Sequence, residues 1–343
     1  MKKQQFGGRC DGSLEKVLSI CIPTYNRIKF LRNSLESLYK QIDAKNRNYV
    51  EVLVSNNCST DGTHELIQEY IKQGMELTYL NNDKNLGADG NFLQCIHKAK
   101  GKYVLLLGDD DLLLPGAVNT LIDILQQDNY GVVYISGTTY KKKNIPAPSF
   151  ANINMHRALC NGVNEFLQKT TVNITFISGN IFNKTLLPEF SAEPYKKTHL
   201  LQVPFFLHAA SNATKNLYLQ EKFLAIGGDG ENNGGYGLYT VFGINLFAML
   251  NEFKKYGIRD DVIKAVADYT LLYWFPGVIM AMRSRDTFKP ERIDMLEKYH
   301  GNNWRYQYVA KPMNDLPYWK AKAFYFVYRC LRKISILVGV NDL

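Results

Sequence analysis

Along the first part of the chain, continuous apolar runs alternate with stretches whose apolar residues recur every three or four positions. That is the rhythm of strands alternating with helices. Residues 17–22 read as a strand stopped by Pro23, and 28–42 as a helix with Phe30, Leu31, Leu35, Leu38, Tyr39 and Ile42 on one side. A strand over 50–54, a helix over 62–73, a short strand over 77–80 and a helix over 88–100 follow. Residues 103–107 are apolar throughout, as a buried central strand requires. The spacing then predicts a helix over 115–127, with Pro115 in its first turn where a missing N–H costs little, and a strand over 131–136. The order predicts an α/β fold: a mostly parallel sheet with flanking helices.

Beyond residue 136 the pattern weakens. Residues 141–148 read as a solvated loop, 177–182 as a strand and 200–210 as a helix. Residues 227–237 hold six glycines with Asp229 and Glu231; this is either a lid beside a site or an ordinary surface loop. A chain of 343 residues suits one large domain with an extension. The expected division is a tail at 1–15, a main domain at 16–250 with halves 16–137 and 138–250, and a helical C-terminal extension at 251–343. In that extension, residues 315–340 interleave Tyr318, Trp319, Phe324, Tyr325, Phe326 and Tyr328 with Lys320, Lys322, Arg329, Arg332 and Lys333. Such a helix either lies on an anionic membrane or packs on the protein with a solvated basic face.

Hydrophobic residues at 46% and charged residues at 21% describe a folded globular chain. The net charge of +9 favours an anionic partner, but no recognition motif or dense basic helix points to nucleic acid. Six scattered cysteines (10, 21, 58, 95, 160 and 330) form no CxxC pair, which argues against a zinc site or a disulfide scaffold and for a reducing, cytoplasmic compartment. Residues 1–15 lack the apolar core of a signal peptide. No uninterrupted apolar stretch reaches the ~20 residues of a spanning helix; the nearest, 270–282, contains Pro276 and Gly277.

Four segments carry candidate chemistry. Asp109, Asp110 and Asp111 follow the buried strand, where ligands of parallel sheets bind. Neighbouring carboxylates need a cation or basic group to offset their repulsion, and a divalent ion shared with substrate phosphates is one solution; helix capping is the other. Cys21 to Arg27 ends the first strand with Tyr25, able to pack on a base, and Arg27, able to meet phosphate. Asn56 and Asn57 end the second strand, and Asp61 beyond them suits a helix cap. Asn85, Gly87 and Asp89 lie in a turn-forming segment whose glycine suits close backbone approach to a ligand.

Together these segments resemble the family 2 glycosyltransferases of the GT-A (Rossmann-like) fold. The resemblance covers roughly residues 16–210 and is most specific in the first 120. The family pattern runs P-x-Y-N, D-D-x-S-x-D-x-T, N-x-G, then D-x-D-D before L-x-P. Here it stands as Pro23, Thr24, Tyr25, Asn26; then 56–63; then Asn85, Leu86, Gly87; then Gly108, Asp109, Asp110, Asp111. The Gly-Asp-Asp-Asp form, with the segment 178–183 downstream, is most similar to the abequosyltransferase-like branch, which builds bacterial surface polysaccharides.

The resemblance implies inverting transfer of a sugar from a nucleotide-diphosphate sugar to a glycan or lipid-linked acceptor in O-antigen or capsule synthesis. A catalytically degenerate protein that only binds nucleotide or glycan is the alternative. It places Pro23, Thr24 and Tyr25 in the nucleoside pocket, with Arg27, Asn56, Asn57, Asn85, Gly87, Asp89 and Asp109 also on the donor. It places Mn2+ or Mg2+ on Asp110 and Asp111. Gly108 stands where the motif has its first Asp, and Asn57 where it has the Asp that reads the base; an amide there suits uracil, thymine or cytosine. The stretch 195–206 that matches the family's general-base region holds no acid, so His199 is the expected base, with Glu193 and Glu189 as alternatives.

Overall fold

The computed structural model describes residues 16–140, 157–227, 237–284 and 294–337. The expected tail, the loop at 141–148, most of the glycine-rich segment and residues 338–340 lie outside the described residues. The chain divides into two compact units, Met1–Asn233 and Gly234–Leu343.

The first unit runs β1 (Leu18–Thr24), α1 (Ile28–Tyr39), β2 (Val50–Asn56), α2 (Thr63–Lys72), β3 (Thr78–Asn81), α3 (Gly87–Lys98), β4 (Tyr103–Leu106), β5 (Leu112–Leu113), α4 (Ala117–Gln127), β6 (Val132–Tyr140), β7 (Arg157–Asn161), α5 (Gly162–Thr170), β8 (Asn180–Asn183), α6 (Val203–Ser211) and β9 (Lys215–Gly227). Its sheet is mixed, in the order β3-β2-β1-β4-β8-β6-β9-β5, with β7 on β9. The first four strands are mutually parallel; β8 enters antiparallel between β4 and β6.

All residues of β1 and β2 are buried, which is why these strands read as continuous runs rather than alternations. Leu31, Leu35 and Leu38 of α1, and Val118, Leu121 and Leu125 of α4, close over the sheet in one core. At about 1.5–3 kcal/mol per buried aliphatic side chain, this repeated burial is the main force holding the layers together.

Three of the boundaries that differ from the sequence reading do so for a local reason. β1 continues through Pro23, which pairs with Ser55. On the β4 side Leu107 N–H donates to Cys21 O, and Pro23, which has no N–H to continue the ladder, stands just beyond that bond. α4 starts at Ala117 because Gly116 turns left-handed at φ 84°, leaving Pro115 in the preceding turn. The expected strand at 177–182 is a 3-10 turn, Ile177–Gly179, leading into β8.

The second unit is helical, as expected of the extension: α7 (Leu246–Glu252), α8 (Asp260–Tyr269), α9 (Phe275–Ser284), α10 (Asp294–His300), α11 (Lys311–Asp315) and α12 (Tyr318–Leu337). Leu238 and Tyr239 pack into its core with Leu271, Phe275 and Tyr306, so residues 237–250 group with this unit rather than with the main domain. α8 and α9 join through a widened turn into one run, Asp260–Ser284, long and apolar enough to cross a membrane by length and composition alone. Half of its apolar window is buried in the protein. Pro276 cannot donate to Leu272 O four residues back; the Tyr328 hydroxyl of α12 donates to it instead. Thus α12 packs through Ala321, Phe324, Tyr325 and Tyr328. Its other side exposes Trp319 (69%) and Phe326 (70%) with Val327 and Leu331, and the helix contains no acidic residue.

Candidate functional site

The order β3-β2-β1-β4 means that the chain steps outward from β1 to β3 and then returns to the other side of β1. The crevice of a parallel sheet opens at that reversal, beyond the strand ends. Here it is flanked by the residues after β1 and those after β4.

Those two segments are joined by charge. Thr24 Oγ1 donates to Asp109 Oδ2 at 2.7 Å. Arg27 Nε lies 2.8 Å from Asp109 Oδ1, and its Nη2 2.6 Å from Asp110 Oδ2. One guanidinium therefore spans two consecutive carboxylates. Asp111 is held apart: Ser178 Oγ donates to its Oδ2 at 2.6 Å and Gly227 N–H to its Oδ1 at 3.0 Å. Ser178 Oγ in turn accepts from Gly108 N–H at 2.9 Å. Asp109 and Asp111 are almost fully buried, whereas the Asp110 side chain keeps about a quarter of its surface exposed.

Burial pushes the Asp109 carboxyl up to about 6, against the opposing pull of Arg27 and Thr24. Burial likewise lifts Asp111 to about 6, opposed by Ser178 and the Gly227 amide. Arg27 loses solvation too, but the two carboxylates more than offset this and hold it as a cation.

This geometry brings Asp109 and Asp110 together on one cation, Arg27, while Asp111 turns to Ser178 and Gly227. It also accounts for Gly108. A Cβ at that position would lie 3.2 Å from Asp111 Oδ2, 3.3 Å from Asp110 Oδ1 and 3.4 Å from Ser178 Oγ. The Ser178–Asp111 pair fills the space a carboxylate on residue 108 would need. Gly227 is equally constrained, since a Cβ there would meet Asp110 O at 2.6 Å. Antiparallel pairing of β5 with β9 brings this distant residue to the acidic turn.

The two asparagines at and just after the end of β2 are bonded within the fold. Asn57 Oδ1 accepts from Leu86 N–H at 2.8 Å and from Asn82 at 3.2 Å. Its Nδ2 donates to Asn85 Oδ1 at 2.8 Å and to Gly87 O at 3.2 Å. All four hydrogen-bonding positions of the amide are thus used, and Asn57 cannot read a base without releasing this loop. Asn56 is likewise committed, to Tyr79, Asn81 and the Ser59 N–H.

The backbone partners Leu86 N–H and Gly87 O fix which end of Asn57 is which. Asn85 Oδ1 also accepts from Gly87 N–H at 2.8 Å. Its orientation is fixed in the same way, and its NH2 has no partner among the described residues. An Asp at 57 would face Gly87 O and Asn85 Oδ1 with oxygen, so the asparagine goes with this loop. Asp61 is a cap, as expected: it accepts from Ile28 N–H at the start of α1 and from Thr63.

Tyr25 is 44% exposed beside Asn26, whose φ is 52°. The Arg27 guanidinium also lies 4.6 Å from the Phe30 ring centre. The segment before α6 is anchored at two points. Lys197 N–H donates to Asp89 Oδ2 at 2.8 Å, and Gln202 Nε2 to Thr175 O at 2.8 Å, three residues before Ser178. Between these anchors Lys197 and His199 both hold left-handed φ, 66° and 59°, a strained conformation for residues with a Cβ. His199 is exposed; Glu193 is exposed and ion-paired with Lys196, and Glu189 is exposed.

Comparisons with known proteins bear on the family and the fold. Residues 19–185 match the family model for glycosyl transferase family 2. The chain is 36% identical over 120 residues to abequosyltransferase RfbV of Salmonella typhimurium, covering 35% of each chain. It is 29% identical over 262 residues to the GalNAc(5)-diNAcBac-PP-undecaprenol beta-1,3-glucosyltransferase of Campylobacter jejuni, covering 74% of this chain and 80% of that one. In fold it is similar to residues 1–349 of TarS from S. aureus, solved with UDP-GlcNAc, with a TM-score of 0.59, 17% identity, and coverage of 86% of this chain and 91% of that one. Residues 19–185 thus form a glycosyl transferase family 2 domain, and the fold is mixed-sheet and GT-A-like.

Proposed function

We propose that the protein transfers a glycosyl group, with inversion, from a nucleotide-diphosphate sugar to a glycan or lipid-linked acceptor in bacterial surface polysaccharide synthesis. The observation that carries this reading is the crevice between β1 and β4, where Arg27 faces Asp109 and Asp110. Pro23, Thr24 and exposed Tyr25 line the nucleoside side. The NH2 of Asn85, held by Asn57 and Gly87, suits a pyrimidine carbonyl. Arg27 suits the diphosphate, which a guanidinium grips bidentately.

Asp109 and Asp110 fit Mn2+ or Mg2+, since two converging carboxylates completed by phosphate and water oxygens meet the needs of a hard cation. Asp111 does not fit, because both its oxygens are bonded within the fold. The bound ion would act as a Lewis acid toward the leaving diphosphate. His199, on its strained and doubly anchored turn, is the general base that takes the acceptor hydroxyl proton. Asp89 holds that turn and Asp111 the acidic one, so both position rather than react.

The exposed aromatic side of α12, with its cations and no acid, suits peripheral contact with the anionic face of a cytoplasmic membrane, where a lipid-linked acceptor would sit. One experiment tests both parts. The protein is incubated with anionic vesicles carrying a polyprenyl-diphosphate saccharide and, in turn, UDP-, dTDP-, CDP- or GDP-sugars. Expected are release of one nucleoside diphosphate class, a product of inverted anomeric configuration by NMR, and flotation of protein with the vesicles. Retained configuration refutes inversion, and protein left at the bottom of the gradient refutes the membrane contact.

A further inference from the structure

We propose that Arg27 and the divalent cation compete for the same two carboxylates, so that the metal enters only as the donor's diphosphate draws the guanidinium away. This rests on the reading above that the crevice takes a nucleotide diphosphate with a metal. Arg27 is then a positioning residue that couples the binding of donor and metal.

The geometry is direct. Adjacent nitrogens of one planar group lie close to both carboxylates: Nη2 is 2.6 Å from Asp110 Oδ2, and Nε is 2.8 Å from Asp109 Oδ1, an ion-pair contact without hydrogen-bond alignment. Two oxygens gripped this way converge on one place, and a cation ligated by both would lie against the guanidinium. Two positive charges in contact inside a largely buried crevice repel strongly. Asp109 is only 6% exposed, and a buried carboxylate without a counter-charge is costly; in the free protein Arg27 supplies that charge.

Arg27 also has somewhere to go. Its side chain is 22% exposed. It reaches out from the loop before α1, and its guanidinium already lies 4.6 Å from the Phe30 ring centre. A diphosphate offers pairs of oxygens that the planar guanidinium can grip bidentately, a match for which arginine is suited and lysine is not. Once Arg27 turns to phosphate, Asp109 and Asp110 are left facing each other and need a new cation. Asp111 offers no competing site, because Ser178 and Gly227 hold it.

Linkage makes the idea quantitative. If the nucleotide tightens metal binding by some factor, the metal tightens nucleotide binding by the same factor. Removing Arg27 must therefore raise metal affinity in the free protein and shrink that mutual factor.

The test is Mn2+ binding to the full chain, read from the free Mn2+ signal in electron paramagnetic resonance, with and without UDP or CDP. Wild type, Arg27→Gln and Arg27→Lys are compared after melting curves confirm that each is folded. Without nucleotide, Arg27→Gln is expected to bind Mn2+ on the order of tenfold tighter than wild type. Arg27→Lys, a point charge unable to span both carboxylates, should fall between, and it carries the test alone if the glutamine variant does not fold. Nucleotide should tighten Mn2+ binding in wild type and do so much less in Arg27→Gln. Equal Mn2+ affinity of wild type and the variants without nucleotide, with nucleotide tightening all of them alike, overturns the competition and leaves the metal reading standing. No Mn2+ binding in any state overturns both.

Discussion

Asp110→Asn is expected to lower kcat by about 10²–10³-fold, the usual cost of removing one preorganised group that stabilises charge on a leaving group. Asp111→Asn should stay within about one order of magnitude of wild type, because an amide can keep both of its bonds. Its carbonyl would accept from Gly227 N–H, and its NH2 would donate to Ser178 Oγ, which already accepts from Gly108. Steady-state turnover of the two variants on the same donor checks this. Equal losses would return Asp111 to the metal and undo the division made here.

His199→Ala is the second large effect. Loss of a positioned general base typically costs about 10²–10⁴-fold, and that loss should appear in kcat for transfer. Nucleotide affinity should hold, because the Asp89 and Gln202 anchors of the turn do not involve the imidazole. Calorimetric titration with nucleotide beside single-turnover transfer separates the two. Near-normal transfer by His199→Ala moves the proton acceptor elsewhere, and Glu193→Gln and Glu189→Gln are then the variants to compare.

The parallel half of the fold was legible because β1, β2 and β4 are buried on both sides and each helix keeps one apolar stripe. Those periodicities survive without knowledge of neighbours. The mixed half was not: β9 pairs with β5, β6 and β7 at sequence separations that no local pattern encodes. The site shows the same divide. Three consecutive Asp residues announced an acidic turn, but spacing cannot say that the second side chain joins the first on Arg27 while the third turns to Ser178. Gly227 arrives from 116 residues beyond Asp111, and its only sequence signal was the start of a glycine-rich run. Ser178 stood in the downstream segment that carried the family likeness, without a stated role. Asn57 was legible at the tip of β2, but its bonds to Asn82, Asn85, Leu86 and Gly87 join segments that no local pattern brings together.

The central claim is that a nucleotide diphosphate and a divalent cation bind together beside Asp109 and Asp110. Its most direct test is a thermal-shift titration of wild type and Asp110→Ala with UDP, dTDP, CDP and GDP, each with Mn2+ and with EDTA. A ligand bound to the folded state alone must raise its melting temperature. The account predicts a rise with one pyrimidine nucleotide that requires Mn2+ and is lost in the variant. A rise of the same size with EDTA, or one that survives in Asp110→Ala, would contradict it.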